Sequence, residues 1–195
     1  MARKVGITHE QVLEAATGIA DRDGLAALSL ATVAAAIGVR TPSLYSHVNG
    51  LDGLRRDLAM HANRQLGRRM RSAADGEGDP VRALRAIAHA YRGFAREHPG
   101  LYASLLPVPR ADEDPDGAAA AAEPVATVAG VLAALDITPD RHIDLIRALR
   151  AMLHGFVDLE NGRGFGLADP VDASFDAALD LVIGALVAQG TPGAR

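Results

Sequence analysis

Apolar residues in this chain recur at helical spacing from one turn signal to the next, and no stretch alternates apolar and polar residues as a half-buried strand does. That periodicity points to an all-α fold. Hydrophobic residues make up 49% of the 195 positions but aromatics only 4%, so the core must be built from Ala, Leu, Val and Ile. Ala favours the helix because it loses no side-chain entropy there. The length allows one or two domains and a substantial core. Cys is absent, which excludes disulfides, thiolate zinc sites and a Cys nucleophile and suits a reducing compartment. The first residues lack an apolar signal core, and charged residues interrupt every apolar run, so the expectation is a cytoplasmic protein with no membrane partner.

Caps and breakers divide the pattern into helices. Thr8, with Gln11 three residues on, starts a helix that Asp23-Gly24 breaks. Ser29 caps a short helix from Leu30 to about Ala36, ended by Gly38. Thr41-Pro42 opens a third through about Val48, and Asn49-Gly50 closes it. A long helix follows from Leu51 to about Arg71. The polar run from Asp75 to Asp79 is the expected break between parts. Helices are expected over 80–97 and 101–106, then from the Ala run at 118–122 to Leu135 with Pro124 shifting its start, over 140–161 and over 172–188. Residues 107–117 read as an acidic, Pro-punctuated mobile loop. The expected division is a head at 1–50, a connecting helix at 51–71 and a body at 72–195.

The most informative stretch runs from Leu28 to His47. Two short helices meet at a Gly turn, with Val33, Ala34, Ile37, Val39 and Leu44 as the contacts that fix their angle. This is the arithmetic of a helix-turn-helix. The exposed side of the second helix carries groups suited to a DNA groove. Arg40 suits phosphate or guanine; Thr41 and Ser43 suit base edges or phosphate. Pro42 suits a thymine methyl, while Tyr45 and His47 can reach backbone oxygens. Ser29 and Thr32, at the start of the preceding helix, complete the set, and Arg3 and Lys4 offer a short basic arm. Charge is distributed accordingly. Residues 1–71 carry a net +4 and residues 72–195 a net −8, a basic head on an acidic body within a total of −4.

Residues 8–58 resemble the DNA-binding domain of the TetR family of regulators. The resemblance is carried by Leu28-Ser29, Val33-Ala34, Ile37-Gly38-Val39, Leu44-Tyr45-Ser46-His47 and Leu54. The stretch Leu153-His154-Gly155-Phe156-Val157-Asp158-Leu159-Glu160, with Phe165-Gly166 and Phe175, is similar to a His-Gly-containing subgroup of the family's ligand domains. Two positions depart from the family pattern. Val48 stands where Phe is frequent, and Leu51 where a Lys often grips phosphate. Arg55 or Arg56, a turn later, are the candidates to replace that Lys.

The resemblance implies a helix-turn-helix head joined by the long helix to a helical body that dimerises through its last two helices. It implies a regulator bound to a pseudo-palindromic double-stranded operator and released by a small-molecule effector; repression rather than activation is the expected action, because occupying a promoter needs no extra contact surface. Apolar stripes in the sequence fit dimerisation: Ala148, Leu149, Met152, Leu153 and Phe156, then Phe175, Ala178, Leu179, Val182, Ile183 and Leu186. The candidate effector contacts are Met60, Asn63, Tyr91, Phe94, Tyr102, Met152, His154 and Phe156. Their scarcity of charge favours a largely apolar effector. No cofactor is expected. Two rival readings are a helical interaction module without DNA binding and a metal-dependent enzyme using His89, His98, His142, His154 and Glu160. Neither a His-Glu zinc motif, a phosphate loop nor a Ser elbow supports the enzyme.

Overall fold

The computed structural model describes residues 6–106 and 109–190. Among them the chain forms α1 (His9–Asp23), α2 (Leu30–Ile37), α3 (Gly50–Asp75), α4 (Pro80–Glu97), α5 (Pro99–Ala103), α6 (Pro115–Ala134), α7 (Pro139–Asn161) and α8 (Val171–Gly190), with 3₁₀ turns at Leu25–Ala27 and Thr41–Ser46. No strand occurs among the described residues, so the all-α expectation holds. Two compact units are present. The first joins Met1–Asn63 with His98–Ala121, and the second joins Arg64–Glu97 with Ala122–Arg195.

In the first unit, α1 begins with a full capping box. Thr8 Oγ1 accepts from the Gln11 amide at 3.2 Å, and Gln11 Oε1 accepts from the Thr8 amide at 2.9 Å. Val12, Ala16, Ile19 and Ala20 form its buried face. Ser29 and Thr32 cap α2 in the same reciprocal way, and Gly38 ends it at φ 79°, ψ 32°, a left-handed conformation that disfavours a Cβ. The third helix differs from expectation. It is a six-residue 3₁₀ turn, in which the Ser43 amide bonds the Arg40 carbonyl at 2.9 Å and the His47 amide the Leu44 carbonyl at 2.8 Å. So short a segment gains little from α-type bonding, and the tighter turn still buries Leu44 and Val48.

Within the loop expected over 107–117, residues 109–117 are described, and a helix begins among them. Asp114 caps α6, accepting from the Gly117 amide at 2.9 Å, so the helix starts at Pro115, ahead of the Ala run. Pro124 lies inside α6 rather than at its start; its missing amide removes one helical bond without ending the helix. α6 is also the one described helix long and apolar enough to cross a membrane by length and composition. The buried Val128 and Leu132 give it a place in the second unit's core instead.

That core is formed by Leu84, Ile87 and Phe94 of α4, Leu149, Leu153 and Val157 of α7, and Phe175, Leu179, Ile183 and Leu186 of α8. This corrects the sequence reading of the last two helices. Leu149 and Leu153 of one proposed pairing stripe and Phe175, Leu179, Ile183 and Leu186 of the other are buried in their own unit, whereas Met152, Phe156 and Val182 are half-buried and Ala148 is exposed. The reason lies in α8, which is apolar on both sides of a stripe of Asp172, Asp176 and Asp180 that pairs with α4. Its bulky positions fill the core and leave an outer face with Ala177, Leu181, Gly184 and Ala185 exposed. On α7 the exposed apolar positions include Ile143, Ala151, Gly155 and Leu159.

Candidate nucleic-acid interface and effector cavity

The segment after Gly38 presents side chains outward on a buried anchor. Leu44 and Val48 are enclosed, whereas Arg40, Pro42 and Ser43 are exposed and Thr41 and His47 half-buried. Tyr45 is 61% exposed, a large aromatic that the fold holds in solvent. Ser29 and Thr32 are placed differently. The Ser29 Oγ accepts from the Thr32 amide at 3.1 Å and Thr32 Oγ1 from the Ser29 amide at 3.0 Å, so their hydroxyls are spent on capping α2. Arg3 and Lys4 lie outside the described residues.

Val48 is buried where the larger Phe was expected, and Leu51 puts no cation at the start of α3. Of the two replacements for the missing Lys, Arg56 donates from Nε to Asp114 Oδ2 at 2.8 Å. That hydrogen bond, with a second from the Gly117 amide, holds the Asp114 carboxyl below the ordinary carboxylate value. Arg55 stands 3.9 Å from Asp52 and is half exposed. A hollow of about 200 Å³ beside the reading segment is lined by Tyr45, His47, Asn49, Gly53, Arg56 and Asp57.

The first unit also holds a cavity of about 320 Å³. Met60 and Asn63 line it as expected, beside Leu25, Leu58, Ser104 and Leu106. Arg55, Arg56 and Asp114 complete its polar part. Tyr102 is buried in the same unit, whereas Tyr91, Phe94, Met152, His154 and Phe156 belong to the second unit. Of the eight candidates, Met60 and Asn63 line this cavity. Phe156 instead packs at 5.0 Å on Phe175 and at 4.7 Å on Phe165.

The proposed metal residues are also dispersed. His89 faces Asp176 at 3.1 Å, His98 faces Asp21 at 2.8 Å, and His142 bonds the Ile137 carbonyl. Glu160 accepts two hydrogen bonds from Arg92, at 2.8 and 2.7 Å. Arg92 is the one buried cation among the described residues, with its guanidinium 4.6 Å from the Phe175 ring centre. Its pKa lies above the ordinary value, chiefly through the Glu160 hydrogen bonds.

Sequence reasoning missed Asp21. Its Oδ1 accepts from the Gly100 and Leu101 amides at 2.9 and 3.0 Å, capping α5 from the end of α1. The one local signal was that α5 has no capping side chain of its own.

A capped helix, a left-handed Gly turn and an exposed segment bearing Arg40 and Tyr45 define a helix-turn-helix DNA-binding regulator. The family described as Tetracyclin repressor-like, C-terminal domain, matches residues 84–182. The chain belongs to the TetR family of transcriptional regulators. It is 36% identical over 162 residues to the uncharacterized HTH-type transcriptional regulator YobS of Bacillus subtilis, covering 82% of each chain. A solved protein of unknown function from Rhodococcus sp. RHA1 superposes with a TM-score of 0.81, at 24% identity over 96% of this chain and 99% of that one. A TetR variant from Acinetobacter baumannii, solved in complex with minocycline, superposes with a TM-score of 0.72, at 22% identity over 95% and 99% of the two chains. The named relatives are regulators of transcription, and the chain is a regulator rather than an enzyme.

Proposed function

We propose that this regulator is a homodimeric repressor, acting in the cytoplasm, that binds a pseudo-palindromic operator and releases it when a small molecule occupies the body or the cavity beside the head. The observation that carries this reading is Tyr45, held 61% exposed above buried Leu44 and Val48, in line with exposed Arg40, Pro42 and Ser43. A lone exposed aromatic costs apolar hydration unless a partner covers it, and a duplex backbone does so while accepting the phenol's hydrogen bond. Residues 1–50 serve as the head, 51–71 as the connecting helix and 72–195 as the body. One six-residue reading segment contacts too few bases for specificity, so two copies are required. The outer faces of α7 and α8, with Leu159 and Leu181 exposed, supply the pairing surface.

Selection of bound duplexes from a random pool tests this. The expected product is a sequence with inverted half-sites, whose affinity falls as salt rises. Arg40→Ala or Tyr45→Ala should weaken binding to it by roughly tenfold or more, equivalent to about 1–3 kcal/mol, with the circular dichroism unchanged. Recovery of no preferred duplex at low salt would contradict the reading.

A further inference from the structure

We infer that the 320 Å³ cavity of the first unit accepts a small amphipathic organic anion, its carboxylate seated on Arg55 and Arg56 in exchange for Asp114. As the site of an effector, this inference rests on the regulator reading above. Leu58, Met60 and Leu106 give the cavity an apolar wall, and its volume suits a small ligand. Its other polar groups are satisfied locally: the Asn63 amide donates to the Ala59 carbonyl at 3.0 Å and the Ser104 hydroxyl to the Leu101 carbonyl at 2.6 Å. Discrimination therefore falls to the charged lining, the Arg55 and Arg56 guanidiniums and the Asp114 carboxylate, with Asp57 and Asp116 standing 3.8 and 3.7 Å from Arg56 outside that lining.

Of the three carboxylates near Arg56 among the described residues, only Asp114 hydrogen-bonds it, and that closest partner can release it at small cost. Asp114 keeps the Gly117 amide, so releasing Arg56 leaves the carboxylate hydrogen-bonded as the cap of α6. Arg56 itself is 43% exposed on its side chain, and a ligand carboxylate would restore a charge-assisted, bidentate pair. Among the described residues Arg55 has one ion pair, a long one to the fully exposed Asp52 at 3.9 Å. The sign of the coupling follows from position. Arg56 lines both this cavity and the hollow under Tyr45 and His47, so an anion bound there neutralises charge beside the reading segment and opposes the approach of phosphate.

Isothermal titration calorimetry of the full chain with decanoate, decanol and decyltrimethylammonium, all below micelle formation, tests the site. Decanoate is expected to bind at least tenfold more tightly than decanol, and Arg55→Gln or Arg56→Gln to erase that difference while decanol binding persists. Persistence of decanol binding shows that the variants fold. Equal binding of decanoate and decanol, preference for the ammonium, or no binding by any of the three would overturn the inference. A duplex arm separates it from the reading it rests on. Decanoate should weaken duplex binding by the same factor by which duplex weakens decanoate binding. Arginine-dependent decanoate binding by a chain that ignores every duplex would support the anion site and sink the regulator reading alone.

Discussion

Gly100 has no room for a side chain. A Cβ there would lie 2.1 Å from the carbonyl carbon and oxygen of Ala20 and 2.5 Å from the Asp21 nitrogen, all backbone atoms that cannot rotate away. Close approach is what lets the Asp21 carboxylate cap α5, so a Gly100→Ala variant loses both the packing and the cap. It should be destabilised by about 3 kcal/mol, the upper end of ordinary overpacking. For a chain of this size that is a fall in Tm of roughly 6–12 °C, read by thermal denaturation. Arg92 makes the opposite case, a residue whose removal strands its partners. Arg92→Met leaves the part-buried Glu160 without its two hydrogen bonds, and the expected loss is about 2–4 kcal/mol, because Glu160 and Asp172 keep some water. Adding Glu160→Gln should restore a good part of that stability, since the stranded charge is gone. A double variant no more stable than the single one would refute the assignment. Neither Asp21 nor Arg92 could be read from the sequence as a structural residue, because their partners lie far along the chain and charge alone carries no address.

At the scale of elements, the legible features were those with local causes. Thr8 with Gln11, Ser29 before Leu30 and Gly38 at the turn each act within a few residues, and the structure uses all of them. The Ser29 cap yields a further expectation. Ser29→Ala should cost about 1 kcal/mol, because it leaves the Thr32 amide unpaired and removes one half of a reciprocal cap. Operator binding should weaken with it, as α2 frays next to the reading segment; hydrogen exchange of the α2 amides measures the fraying directly. Three features were not legible. The reading helix proved to be 3₁₀, since a six-residue segment sits where the two helix types differ too little in energy for sequence to decide. α6 starts at Pro115 because Asp114 caps it, within a loop whose charges look merely solvated. The largest residues of the α7 and α8 stripes were assigned to a partner because α8 carries two apolar faces beside its Asp172, Asp176 and Asp180 stripe, and periodicity cannot say which of two apolar faces a core takes.

At the scale of the whole molecule, the remaining question is what covers the outer faces of those two helices. Leu181 is 77% exposed on α8, among small residues that would let a second helix approach closely, and Leu159 is 51% exposed on α7. A two-fold contact places each face against itself, so one charge introduced at Leu181 is present twice at the interface and meets its own copy. Leu181→Asp should therefore give a monomer in sedimentation experiments. Its helical signal should stay intact, because the side chain lies outside its own unit's core. Loss of the dimer also removes the second half-site from each binding event. Affinity for the full operator should then fall by at least about a hundredfold, the scale of a lost linked contact. Affinity for an isolated half-site should be unchanged. A Leu181→Asp protein that remains dimeric would move the pairing surface elsewhere, and one that is monomeric yet holds the full operator as tightly as before would show that a single six-residue segment suffices.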